Sequence, residues 1–282
     1  MPKGRGNAIA VLGVGLAVAS LVPPSPVLAW GTIGHEKVAG AVPAVLPSDA
    51  EPLLILGSSL VRHAMDADVR ARDPQSEERF RHRFDVDAYS WFDLMFVPRQ
   101  VGPWERRFGR DRVRERGLLP WTIADSYERL VTAFRAHDSN AAAREWADLT
   151  HYLADAADPL RCTRAASPAL ARRIDDRLLD RYRAHLELPP VTHRSVAVRD
   201  PVVEAIQLAR QSRSRAPAML AAERRAAVEG VGTPGYDARL WHELGPLLEE
   251  RLGVAAEAAA RFGYSAWVAA GRPAVPAPSE DR

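Results

Sequence analysis

Residues Thr150–Leu160 read THYLADAADPL. His151 and Asp155 are four positions apart, so on a helix they share one face, a single turn apart. Trp146, Leu149, Leu153 and Leu160 form the apolar stripe of that helix, Ala147 and Ala154 lie beside the pair, and Pro159 ends it. An apolar stripe on one side and small residues around His and Asp on the other predict a helix buried all round. A buried histidine–aspartate pair standing alone is ordinarily a satisfied core pair. It acquires chemistry only when further ligands converge on it.

Helical spacing continues on both sides. Ala124, Tyr127, Leu130, Val131 and Phe134 keep an i, i+3, i+4, i+7 pattern after Pro120-Trp121. Alanine- and arginine-rich stretches at 169–186, 201–213, 215–229 and 237–270 read the same way, broken at Pro189-Pro190 and around Gly232–Gly235. Alternating β-type runs are nearly absent, and Phe84–Asp87 is too short to count as a strand. There is neither a repeat nor an interior low-complexity linker. One all-α, multi-helix domain is therefore expected, with a loose tail after Gly271 rich in proline and alanine.

The first 29 residues carry the three parts of a secretory signal. Lys3 and Arg5 supply the positive start, Ala8–Val22 the apolar run, and Val27-Leu28-Ala29 the cleavage pattern. The run falls short of the ~20 residues a spanning helix needs. The expected division is thus signal 1–29, helical domain 30–273 and tail 274–282, secreted or periplasmic, a monomer without an integral span after cleavage. An uncleaved, signal-anchored helical protein is the alternative, and retention of Met1 would mark it.

The chain has 38 basic and 36 acidic side chains. Removing Lys3 and Arg5 balances them, so overall charge demands neither nucleic acid nor an anionic membrane. Seven arginines lie between Arg99 and Arg116, interleaved with Glu105, Asp111 and Glu115. They could grip phosphates, but the interrupting acids favour a solvated surface helix. Cys162 is the single cysteine, which excludes an intramolecular disulfide. It reads as a small buried residue. Stability must come from the core, from metals, or from both.

Four groups of residues carry potential chemistry. Cleavage after Ala29 would free the amine of Trp30. An α-amine has a pKa of ~8 and yields its proton to a metal easily. With its own carbonyl oxygen it can close a chelate ring, and His35 can join from a turn permitted by Gly31 and Gly34. The second group is HAMDADVRARD, His63–Asp73, and the third is RFRHRFDVD, Arg79–Asp87. The fourth is the His151–Asp155 helix.

Taken in order, WGTIGH, HAMDADVR with RHRFDVD, LPWTIADSYERLVTAFRAHD, HYLADAADPL and YSAWVAAGRP resemble the zinc-dependent phospholipase C and single-strand nuclease superfamily. The resemblance runs from Trp30 to Pro273. It implies a secreted all-helical phosphodiesterase whose metal cleft is built from helix residues and the mature amino terminus. By its motifs, one zinc of a bridged pair would be held by Asp68, His82, His151 and Asp155, with Asp66 a rival to Asp68. The other would take the Trp30 amine and carbonyl, His35 and the second oxygen of Asp155. Asp68 would also orient the attacking water.

The family's outlying third zinc is a different case. Its first histidine position holds Arg161, and the following RRIDDRLLD, Arg173–Asp180, offers Asp175 or Asp176 and Asp180 or Leu179, without any imidazole. A guanidinium cannot ligate zinc. Two zincs are therefore expected, with the third site lost. Arg161 would either grip substrate phosphate or neutralise Asp175 or Asp176. Nucleic acid, phospholipid and small phosphodiesters all remain open as substrates. A non-catalytic, zinc-stabilised binding protein derived from the family is the alternative reading.

Overall fold

Alanine and leucine spacing sets the architecture, which the computed structural model describes for residues 30–189 and 197–279. The signal segment and its cleavage pattern lie outside the described residues. The helices in chain order are α1 Gly31–Ala41, α2 Gly57–Arg62, α3 Asp66–Ala71, α4 Trp91–Met95, α5 Val101–Phe108, α6 Arg110–Arg116 and α7 Leu119–Arg135. They continue as α8 Ser139–Ala157, α9 Pro168–Arg173, α10 Leu179–Arg181, α11 Pro201–Arg213, α12 Ala216–Ala226 and α13 Pro234–Ala269. Among the described residues there is no strand, and the fold is all-α. None of these helices is long and apolar enough to cross a membrane.

Helix α8 is the axis of the molecule, in contact with α1, α2, α7, α11 and α13. Its sequence explains why: Ala142, Ala143, Ala147, Ala154, Ala156 and Ala157 let neighbours approach closely, while Trp146, Leu149, Tyr152 and Leu153 fill the space between them. The 36-residue α13 supplies the longest partner surface. Gly263 lies directly against the Trp146 indole, whose Nε1 donates to the Ala259 carbonyl at 3.0 Å.

The end of α8 shows how the site is held. A helix leaves its last four carbonyls without intrahelical donors. Here the Trp30 indole Nε1 donates to Ala154 O at 2.7 Å, and the Asp158 amide to Asp155 O at 3.1 Å. Ser212 Oγ donates to Ala156 O at 2.6 Å, joined by Cys162 Sγ, and Arg251 Nε to Ala157 O at 3.0 Å. Each orphan carbonyl is satisfied by a different part of the chain. The cationic Arg251 also sits at the negative end of the helix.

Two expectations need correction. The arginine-rich stretch is not one helix: Gly109 at φ 88 separates α5 from α6, and Trp104 and Val113 are buried. The helix expected over 169–186 is interrupted by a π turn at Ile174–Leu178 and ends at Arg181. The tail residues through 279 have no regular structure.

Candidate metal centre

Five buried side chains from four segments meet beside the C-terminal part of α8. His35 comes from α1, Asp68 from α3, His82 from the segment after the Glu77–Phe80 turn, and His151 and Asp155 from α8. His35 is thus on a helix rather than the expected turn. Gly31 does adopt a positive φ of 52, and a side chain there would strike the Asp175 carbonyl. Gly34 is needed because the Trp30 side chain lies over it.

Asp155 divides its two oxygens. Oδ1 lies 3.7 Å from His35 Nε2, while Oδ2 lies 2.8 Å from His82 Nδ1 and 3.6 Å from His151 Nε2. Asp68 Oδ1 lies 3.6 Å from His151 Nε2 and 3.7 Å from His82 Nδ1. His151 Nδ1 donates to the Ala64 carbonyl at 2.8 Å, which turns Nε2 into the cluster. His35–Asp68–His151 and His82–His151–Asp155 are each spaced closely enough to hold a metal ion. The first of these sets cuts across the division implied by the resemblance, because the His35 and His151 rings stack with centroids 3.8 Å apart.

Of the two candidates on α3, Asp68 is 1 % exposed and faces the cluster. Asp66 points away and accepts a hydrogen bond from His63 at 2.8 Å. Trp30 is buried at the start of α1 with φ 58, and its carbonyl accepts the Gly34 amide at 3.0 Å.

Burial drives the His35 pKa down to about 3, aided by the neighbouring charge of His151. Burial opposes charge on His151 too, but Asp155 and Asp68 outweigh it and push the ring up to about 9. The Asp68 carboxyl would rise on burial alone, yet His151, His35 and His82 hold it well below the usual range. His82 is raised in the same way, its burial offset by hydrogen bonding to Asp155 and Glu78.

Behind His82 stands Glu78, 3.4 Å from Nε2, which also accepts a hydrogen bond from the Tyr152 hydroxyl. Sequence reasoning missed it, although its place four residues before His82 was a visible signal. It also missed Asp158. That carboxyl is buried, accepts the Leu160 amide at 2.8 Å and is pushed up by burial to about 6.

In the turn after α8, Arg161 presents Nε and Nη2 buried and without hydrogen-bond partners. The Arg161 and Cys162 carbonyls accept the Phe84 and Val86 amides, which ties this corner to the His82 segment. Asp175, at the π turn, is buried with Oδ2 unpartnered, and burial with the nearby Asp158 raises its carboxyl. Asp176 and Asp180 are exposed. Cys162 faces the Ala156 carbonyl, its thiol raised by burial.

No protein-family profile matches this chain, and no curated protein does. Among solved structures, the alpha toxin from Clostridium absonum is similar with a TM-score of 0.53 at 12% sequence identity. The match covers 86% of this chain and 65% of the toxin's, so this chain spans less than two thirds of the protein it matches. What the two have in common is an all-helical fold, in which this chain encloses a buried histidine and aspartate cluster spaced to hold metal.

Proposed function

We propose that this chain is a secreted, zinc-dependent phosphodiesterase that hydrolyses phosphoric ester bonds with two zinc ions. The observation that carries the reading is a pair of orphaned polar atoms. His35 Nε2 and Asp155 Oδ1, 3.7 Å apart, are both buried without hydrogen-bond partners. Leaving such groups unpaired is costly, and cations satisfy them together. Imidazole and carboxylate donors suit zinc. The parallel His35 and His151 rings are 3.8 Å apart, which matches the ~3.5–4 Å between the ions of a two-metal site when each ring serves its own ion.

One zinc is assigned to Asp68, His82, His151 and Asp155, the other to the Trp30 amine and carbonyl, His35 and the second oxygen of Asp155. When bound, such a pair polarises a phosphoryl oxygen and lowers the pKa of water towards neutrality. The chain's own residues do the rest. Asp68 Oδ2, free of other partners, orients the attacking water and accepts its proton. Glu78 holds His82 from behind so that Nδ1 faces inward. Arg161, with two free N–H edges, steadies phosphate oxygens where relatives place a third metal.

The test is metal content per mature chain together with hydrolysis of a chromogenic phosphodiester, a phospholipid and single-stranded DNA. Two zincs, and turnover abolished by chelation, are expected. Two zincs without turnover on any substrate would favour the non-catalytic, zinc-stabilised protein instead, a reading to which the loss of imidazoles around Arg161 lends support.

A further inference from the structure

The short helix α4 turns its apolar side outward. Trp91, Phe92, Met95 and Phe96 are 61%, 60%, 50% and 63% exposed, and only Leu94 of this run faces the core. Isolated exposed apolar side chains are ordinary, but four in six consecutive residues make a patch that calls for an occupant.

The patch is firmly mounted. Ser90 and Asp93 form a capping box at the start of α4, and Arg107 on α5 pairs with Asp93. Beneath it Tyr89 packs on Trp104 and Phe108, with centroids 5.0 and 5.2 Å apart. These side chains are therefore exposed by a rigid support and not by fraying.

Charge beside the patch indicates the occupant. Arg107 reaches Asp93 and Arg112 acts on Tyr89, which sets this basic stretch against α4. Arg106, Arg110 and Arg112 on α5 and α6 are exposed and enter no ion pair among the described residues, and they outnumber Asp111 and Glu115, exposed and unpaired in the same stretch. We infer that this face docks on an anionic lipid surface, with Trp91, Phe92, Met95 and Phe96 entering the boundary between headgroups and acyl chains. Arg106, Arg110 and Arg112 then meet lipid phosphates. Tryptophan and phenylalanine suit that depth, and basic side chains add attraction to acidic headgroups. Single-stranded nucleic acid also takes aromatics with arginines, but it needs ring faces free for successive bases. Here Phe92 and Phe96 pack on each other at 5.1 Å, and Met95 offers no ring. The inference does not depend on the metal chemistry.

Vesicles of phosphatidylcholine mixed with phosphatidylglycerol, and of phosphatidylcholine alone, test it in sedimentation. Parent and variants are compared with the same amino terminus. The parent should pellet with the mixed vesicles, and more weakly at high salt. A Trp91→Ser, Phe96→Ser variant and an Arg106→Gln, Arg110→Gln, Arg112→Gln variant should each lose on the order of tenfold in partitioning, with unchanged thermal unfolding. Brominated acyl chains should quench parent fluorescence but not that of Trp91→Phe, a change that leaves the fold intact. The inference is overturned by a parent that stays in the supernatant or by undiminished binding of the aromatic variant. Equal quenching in Trp91→Phe overturns it too, as does use of the same side chains for self-association or oligonucleotide binding in place of vesicles.

Discussion

His35 and His151 stack ring on ring, centroids 3.8 Å apart and planes within 6°. Their ionisation is pulled in opposite directions, His35 down to about 3 and His151 up to about 9. Burial thus keeps His35 neutral, while Asp155 and Asp68 favour positive charge on His151, whose Nε2 faces the candidate metal position.

Metal uptake should therefore release protons at neutral pH, from the raised His151 and His82 rings and from the Trp30 amine. With a raised pKa, His151 contributes stability to the metal-free fold that is fully present below about 6.5. It is lost as pH rises through about 9. Metal affinity should accordingly weaken as pH falls. Titration calorimetry in two buffers of different ionisation enthalpy measures the proton count, and zero release at pH 7 would contradict it.

Asp155→Asn should weaken both metals together. The carboxylate faces His35 with one oxygen and His82 with the other, so neutralising it removes charge from both positions. Elemental analysis after dialysis reads the outcome; loss of one metal alone would rule out a shared ligand.

A chain beginning Met-Trp30 should bind about one zinc fewer than one beginning at Trp30, because an added peptide bond removes the terminal amine. The indole contact to Ala154 would survive, so the melting profile without metal should be unchanged. Equal zinc content in the two forms would refute the terminal chelate.

Arg161→Ala should lower turnover of a phosphodiester by about a hundredfold, the scale of losing one donor to developing charge, while both zincs stay bound. Its Nε and Nη2 are unpartnered, so little folding stability depends on them. A drop in melting temperature with unchanged turnover would instead make Arg161 a counter-charge for Asp158 and Asp175.

Gly263→Ala should cost about 1–3 kcal/mol, since a methyl group there collides with the Trp146 ring. α13 offers no ligand to the cluster, so metal content should hold. Denaturant unfolding of the variant measures the difference, and a neutral result would mean that the two helices separate freely.

The α8 pair was legible because helical periodicity alone decides that His151 and Asp155 share a face. So was the all-helical fold, from its spacing and its lack of alternation. Choosing Asp68 over Asp66 needs the orientation of a six-residue helix, which no periodicity fixes. The break at Gly109 was visible as a glycine, but its positive φ was not. The run WFDLMF is as apolar as a core segment, and only the mounting of α4 reveals that most of it faces out. A π turn leaves no sequence pattern at all, because any helical residues can form it.

That π turn at Ile174–Leu178 makes the acid pattern of the Arg161 corner depend on chain length. Each helical residue advances the chain by ~100°. Deleting one residue within the turn would restore plain helix and swing Leu179, Asp180 and Arg181 by about that angle relative to Asp175. Buried Leu179 would leave the interior, and a different side chain would take its place. The corner's acids can thus be re-dealt by insertion or deletion without a single substitution.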